Sequence, residues 1–141
     1  MTDFGPLTLE RRDEVALITL TAGDNRFNPT SLAAWNAALD EVETDESVAA
    51  LVTTGTDKFY SNGLDLDWMG SLPESERAAS GRMITDTIRL LGRLLGFPMF
   101  TVAAINGHAF AGGAMLTLAH DVRVMRTDRG FWCLPEVDLG M

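Results

Sequence analysis

The stretch from Leu94 to His120, LLGFPMFTVAAINGHAFAGGAMLTLAH, is 27 residues long and contains no Asp, Glu, Lys or Arg. A membrane span needs roughly 20 uninterrupted apolar residues. This run is broken by Gly96-Phe97-Pro98, by Asn106-Gly107-His108 and by Gly112-Gly113. It therefore reads as a buried strand (Phe100 to Ile105), a turn at Asn106-Gly107 and a buried small-residue helix from Gly112 to Ala119. Val122 to Met125 then forms another strand, Arg126 to Gly130 a turn, and Phe131 to Leu134 a last extended piece.

Working back towards the N-terminus, the same alternation recurs. Met83, Ile84, Ile88, Leu91 and Leu95 mark the apolar face of a helix that opens in the polar segment 71–76 and ends at Gly96 and Pro98. Before it lies the glycine-containing loop KFYSNGLDLDWM. Val48 to Thr54 (VAALVTT) suits a strand buried on both faces. Leu32, Trp35, Leu39 and Val42 recur at helical spacing behind Asn28-Pro29, an N-cap followed by proline in the first turn. Leu7 to Leu20 alternates around a polar turn, Arg11 to Glu14, as a hairpin does. Strands alternating with helices favour an α/β layer architecture. No internal repeat or linker divides residues 1–141, so one domain is expected. The segment at Leu139-Gly140-Met141 follows a turn with nothing to close it, which suggests part of a larger unit.

Composition narrows the function. The chain has 141 residues, 46% of them hydrophobic, and a net charge of -9. So acidic a chain lacks the basic footprint of a nucleic-acid binder or a membrane-surface binder. The N-terminus has no basic segment followed by an apolar one, so no secretory signal is read. The single cysteine, Cys133, excludes an intramolecular disulfide and fits a reducing compartment.

Two glycine segments lie 49 residues apart, Asn62-Gly63-Leu64 and Ala111-Gly112-Gly113. Each follows a buried strand and precedes a helix. Such a turn can be a mere connection, or it can leave a backbone N–H pointing outward. Two such groups aimed at one point make an oxyanion hole. Neither segment continues as a phosphate loop. Glu136 stands in the apolar setting Leu134-Pro135-Glu136-Val137. It could be a helix-start acid, or a carboxylate that apolar burial tunes towards general-base work. His108 and His120 have no metal-site spacing, so no metal is expected. No Gly-x-Ser-x-Gly elbow is present. Asp65 and Asp67 suit a helix start. Arg26 and Lys58 lie in loops near the glycine segments and could meet an anionic ligand.

Together these segments resemble the crotonase, or enoyl-CoA hydratase/isomerase, superfamily. The resemblance rests on Asn28-Pro29, VAALVTTG, FYSNGLDLDWM, TVAAINGHAFAGGAMLTLAHDVRVM and RGFWCLPEVDLGM, and is nearest to the peroxisomal and plant Δ3,Δ2-enoyl-CoA isomerases. It implies a ββα spiral whose C-terminal helical part is absent from this chain. It further implies backbone donors at Leu64 and Gly112, with Asn62, Gly63, Asp65, Gly113, Met115 and Arg26 around the substrate. Family hydratases use two glutamates. The first would fall at Met115, which cannot activate water; the second falls at Glu136. One base suffices to move a proton from C2 to C4, so the implied reaction is the shift of a 3-enoyl-CoA to the 2-trans-enoyl-CoA. Coenzyme A would enter as part of the acyl-CoA substrate, with no separate cofactor. The alternatives are another reaction on a CoA thioester, such as hydration, dehydration or hydrolysis, or a non-catalytic CoA-binding or assembly module. The resemblance also implies a homotrimer or hexamer, in the cytoplasm of a bacterium or the peroxisome of a eukaryote.

Overall fold

A computed structural model describes residues 1–138 and Gly140. In chain order the strands are β1 (Thr2–Asp3), β2 (Leu7–Arg12), β3 (Val15–Leu20), β4 (Ala50–Gly55), β5 (Phe59–Ser61), β6 (Phe100–Ile105), β7 (His108–Phe110), β8 (Val122–Met125) and β9 (Trp132–Cys133). The helices are α1 (Pro29–Thr44), α2 (Leu66–Ser71), α3 (Ala78–Leu95) and α4 (Gly112–Leu118). A large sheet has the order β1-β2-β3-β4-β6-β8, and a small one has the order β5-β7-β9. From β3 onward the pairing is parallel in both sheets.

The topology has a simple repeat. β4 is followed by β5 and then by α2 and α3; β6 is followed by β7 and α4; β8 is followed by β9. Each turn lays one strand in each sheet, and in the first two the chain then crosses over through helices. This is the ββα spiral that the resemblance implied. The core lies between the large sheet, α1 and α3. Ile18, Leu51 and Ala103 face it from neighbouring strands, and Leu32, Trp35, Leu39 and Val42 from α1, all buried.

Helix α1 starts where its sequence says. The Asn28 side chain accepts from the Ser31 backbone N–H at 3.0 Å, and the Ser31 hydroxyl accepts from the Asn28 N–H at 3.0 Å. This reciprocal box satisfies two of the helix's orphan donors. Asn28 Nδ2 also donates to Asp65 at 3.0 Å, tying α1 to the start of α2. Asn28→Ala should cost about 1–2 kcal/mol of stability, measured by denaturant unfolding. A loss below a few tenths would show that the box contributes nothing.

Several expectations need correction. The hairpin turn is tighter than the polar cluster suggests: Arg12 pairs with Val15, leaving Asp13 and Glu14 as the loop, with Asp13 at φ +53°. β4 buries Leu51 and Thr53, while Val52 on its other face is only half-buried. The loop KFYSNGLDLDWM contains β5 and the start of α2, both too short to show a period. The polar segment 71–76 holds a single 3-10 turn, and α3 begins at Ala78. On α3 the buried stripe is Met83, Thr87, Leu90 and Leu94. Ile88 and Leu95 are largely exposed, and Ile84 and Leu91 are half-buried. This helix carries two adjacent apolar stripes, and the tertiary structure chooses which one packs on the core.

Candidate active site

The two glycine segments meet because they leave neighbouring strands of the small sheet, β5 and β7, in the same direction. Phe27 flanks the first segment through a parallel bridge to Leu64: its N–H donates to the Gly63 carbonyl at 2.7 Å, and its carbonyl accepts from the Asp65 N–H at 2.9 Å. In such a bridge the N–H of the central residue, Leu64, faces the other way. Among the described residues neither the Leu64 N–H nor the Gly112 N–H donates to a protein acceptor.

The approach of the two segments depends on glycine at two places. Gly63 has φ +77°, and a Cβ there would sit 2.9 Å from the Gly112 nitrogen. A Cβ on Gly113 would collide with the Ser61 carbonyl of β5. Gly112 is different. A Cβ there would lie 3.4 Å from Gly63 Cα and 3.5 Å from the Phe27 ring, which is ordinary contact. Ala111 holds α4 at its start with φ +51° and ψ -122°, a conformation that disfavours a side chain.

Around these segments lies a cavity of about 280 Å³. Asn62, Leu64, Gly112, Met115 and Glu136 line it together with Leu66, Ala111 and the α3 residues Ile84, Thr87, Ile88 and Leu91. The second apolar stripe of α3 thus forms a wall of this cavity. Glu136 is half-buried and is the only carboxylate among the described lining residues. A larger groove of about 530 Å³ between α1 and α3 contains none of the expected site residues.

The structure does not bring all the expected residues to that cavity. Arg26 is held between Asp24 at 2.8 Å and Asp67 at 2.5 Å, with Asp65 at 3.9 Å, so its charge is already matched by carboxylates. Asp65 caps α2, accepting from the Trp68 N–H at 3.0 Å. Burial alone would raise its pKa, but hydrogen bonds from Asn28 and Trp68 and the Arg26 charge hold it below the usual carboxylate range. Gly113 packs on Ser61, and Gly63 shapes the turn. His108 stacks on Phe110 and Phe131 with the Phe59 ring tilted against it, and its Nδ1 accepts from the Phe131 N–H at 3.1 Å. Among the described residues no cluster of three His, Cys, Asp or Glu side chains could hold a metal ion, and no helix is long and apolar enough to cross a membrane.

Sequence reasoning missed Asn25 and Ser61, which build the first segment from behind. Asn25, at φ +52°, donates to the Phe59 and Tyr60 carbonyls at 3.1 Å each. The buried Ser61 hydroxyl donates to the Asn25 carbonyl at 2.8 Å. Asn25 follows Gly23-Asp24 in a polar loop, and only its place beside β5 separates it from other loop asparagines.

Compared with known proteins, residues 10–141 match the enoyl-CoA hydratase/isomerase family. The chain belongs to that family. It is 40% identical over 136 residues to enoyl-CoA delta isomerase 3 of Arabidopsis thaliana, covering 95% of this chain and 57% of that protein. It is 35% identical over 138 residues to 2,3-dehydroadipyl-CoA hydratase of Escherichia coli, covering 96% of this chain and 51% of that one. A solved structure described as a probable enoyl-CoA hydratase of Mycobacterium tuberculosis superposes with a TM-score of 0.82 at 34% identity, covering 96% of this chain and 56% of that one. The chain therefore spans about half the length of the enoyl-CoA hydratase/isomerase relatives it matches. Both isomerase and hydratase names occur among them, so membership in the family leaves the reaction to the chemistry of the cavity.

Proposed function

We propose that this protein moves the double bond of a 3-enoyl-CoA into conjugation with its thioester, giving the 2-trans-enoyl-CoA. The observation that carries this reading is that, among the described residues, one carboxylate, Glu136, lines an apolar cavity with Met115 beside two backbone N–H groups that donate to no protein acceptor. Glu136 takes a proton from C2. The electron pair of the C2–H bond moves into the C1–C2 bond and the carbonyl pair moves onto the thioester oxygen, giving a dienolate. When the oxygen pair returns, C2=C3 forms and the C3–C4 pair takes the proton at C4. The Leu64 and Gly112 N–H groups stabilise the oxygen's negative charge, and losing one such donor costs typically about 2.7–4 kcal/mol. The same glutamate returns the proton at C4, so atoms and charge balance with one base. Adding water across a double bond needs a second group to hold and activate it, and a thioether at Met115 does neither. Leu64, Leu66, Ile84 and Ile88 offer the acyl chain an apolar wall.

The test is to mix the protein with a 3-enoyl-CoA and follow the absorbance of the conjugated thioester, then to supply a 2-enoyl-CoA and follow its loss by hydration. Isomerisation is expected to exceed hydration by at least about 100-fold, the usual worth of a positioned acid or base. Comparable rates would show that another group activates water.

A further inference from the structure

A buried chain of hydrogen bonds behind the cavity has no part in the reaction as written. His120 lies just past α4, and its Nδ1 is 2.8 Å from the Leu116 carbonyl. A carbonyl only accepts, so Nδ1 carries the proton. In the neutral ring Nε2 is then bare, and it accepts from the Thr53 hydroxyl at 2.9 Å. That uses the one Thr53 proton. The 2.6 Å contact between Thr53 Oγ1 and Tyr60 Oη is therefore donated by Tyr60. All three side chains are buried, and each proton has one assignment.

These bonds run through three elements that matter to the cavity. Leu116 is on α4, four residues after Gly112; Thr53 is on β4; Tyr60 is on β5, four residues before Leu64. We infer that His120 is a positioning residue, which with Thr53 and Tyr60 ties the helix beginning at Gly112 to the strand leading into Gly63-Leu64. The inference rests on the reading of Leu64 and Gly112 as the two donors. Apolar side chains would fill the same space without the desolvation cost of an imidazole and two hydroxyls. What the polar chain adds is direction: it holds only when α4, β4 and β5 stand in one register.

Acid should break it. Protonated Nε2 would have to donate to Thr53, and one hydroxyl proton of Thr53 or Tyr60 would be left without an acceptor in the core. The charged groups near the ring are Asp121 and Arg123, the latter donating to the His120 carbonyl at 2.7 Å. Tyr60 faces the chain from β5, and burial pushes its phenol pKa up. Burial pushes the His120 pKa down, against the Leu116 hydrogen bond and the Asp121 charge. A histidine with a lowered folded pKa stabilises fully above its unfolded value, about 6.5, and progressively less as pH falls below it.

The experiment follows the backbone amide resonances of Leu64 and Gly112 from pH 8 to 4.5, beside the His120 ring. Both amides are expected to shift with the midpoint of His120, and both shifts should vanish in His120→Gln. Tyr60→Phe keeps the two His120 bonds and cuts the tie to β5. In that variant Gly112 should still follow His120 and Leu64 should not. Its kcat for a 3-enoyl-CoA should fall roughly 2- to 30-fold, the range for residues that act through others, with KM unchanged. Amides that ignore His120, or that titrate alike in His120→Gln, would overturn the inference, as would an unchanged kcat in Tyr60→Phe. If the amides behave as expected but no 3-enoyl-CoA is turned over, the tie stands and the proposed activity falls.

Discussion

Glu136→Gln is expected to lower the turnover of a 3-enoyl-CoA by roughly 10²- to 10⁴-fold, the usual contribution of a positioned general base. Glutamine keeps the size and the polarity of the side chain but cannot take the C2 proton. Glu136 stands in the cavity wall with the apolar residues of α2 and α3, and those residues supply the acyl contact. Affinity for an acyl-CoA should therefore stay within a fewfold. The check is a pair of measurements, turnover by the appearance of the conjugated thioester and affinity by titration. Near wild-type turnover would remove Glu136 from the mechanism. Weakened binding with unchanged turnover would make it a contact residue.

The second large effect is expected at Gly63. An alanine there must adopt φ +77°, and its Cβ would press on the Gly112 nitrogen at 2.9 Å and on the Phe110 carbonyl at 3.0 Å. The backbone strain alone costs about 1–3 kcal/mol. The crowding falls on one donor and displaces the other, which is the next residue. Gly63→Ala should thus lose about 1–3 kcal/mol of stability and roughly 10²- to 10³-fold in turnover, the worth of one oxyanion donor. Two neighbours separate the causes. Gly112→Ala meets only ordinary contacts and should be mild in both respects. Gly113→Ala collides with the Ser61 backbone and should lower stability by about 1–3 kcal/mol as an overpacked contact. Unfolding and turnover of the three variants would rank them. A Gly63→Ala protein with full activity would reject Leu64 and Gly112 as a donor pair.

Much of the fold is legible in the order of the residues. Asn28-Pro29 and the Leu32, Trp35, Leu39, Val42 stripe locate α1, because a cap and a 3.6-residue period are local properties. The strand Phe100 to Ile105 declares itself by an apolar run between turns. Asn62, Leu64, Gly112, Met115 and Glu136 can be named as one group by resemblance, and all five line one cavity.

Other features have no local signal. The small sheet is built from strands of two and three residues, too short for alternation, and exists because three turns of the spiral bring them side by side. On α3 the periodic apolar residues do not say which stripe meets the core, since both are apolar and only the position of α1 decides. Arg26 looks available to a ligand, yet folding sets it among Asp24, Asp65 and Asp67. The tie from His120 through Thr53 to Tyr60 spans 67 residues. By itself, then, the sequence determined the three longer helices, the longer strands and the chemical types present at the cavity, because those follow from period, capping and residue identity, while the short α2 gave no such signal. Only the tertiary structure decided which polar groups were left free to act, because a hydrogen bond or ion pair between distant segments exists only once the chain has brought them together.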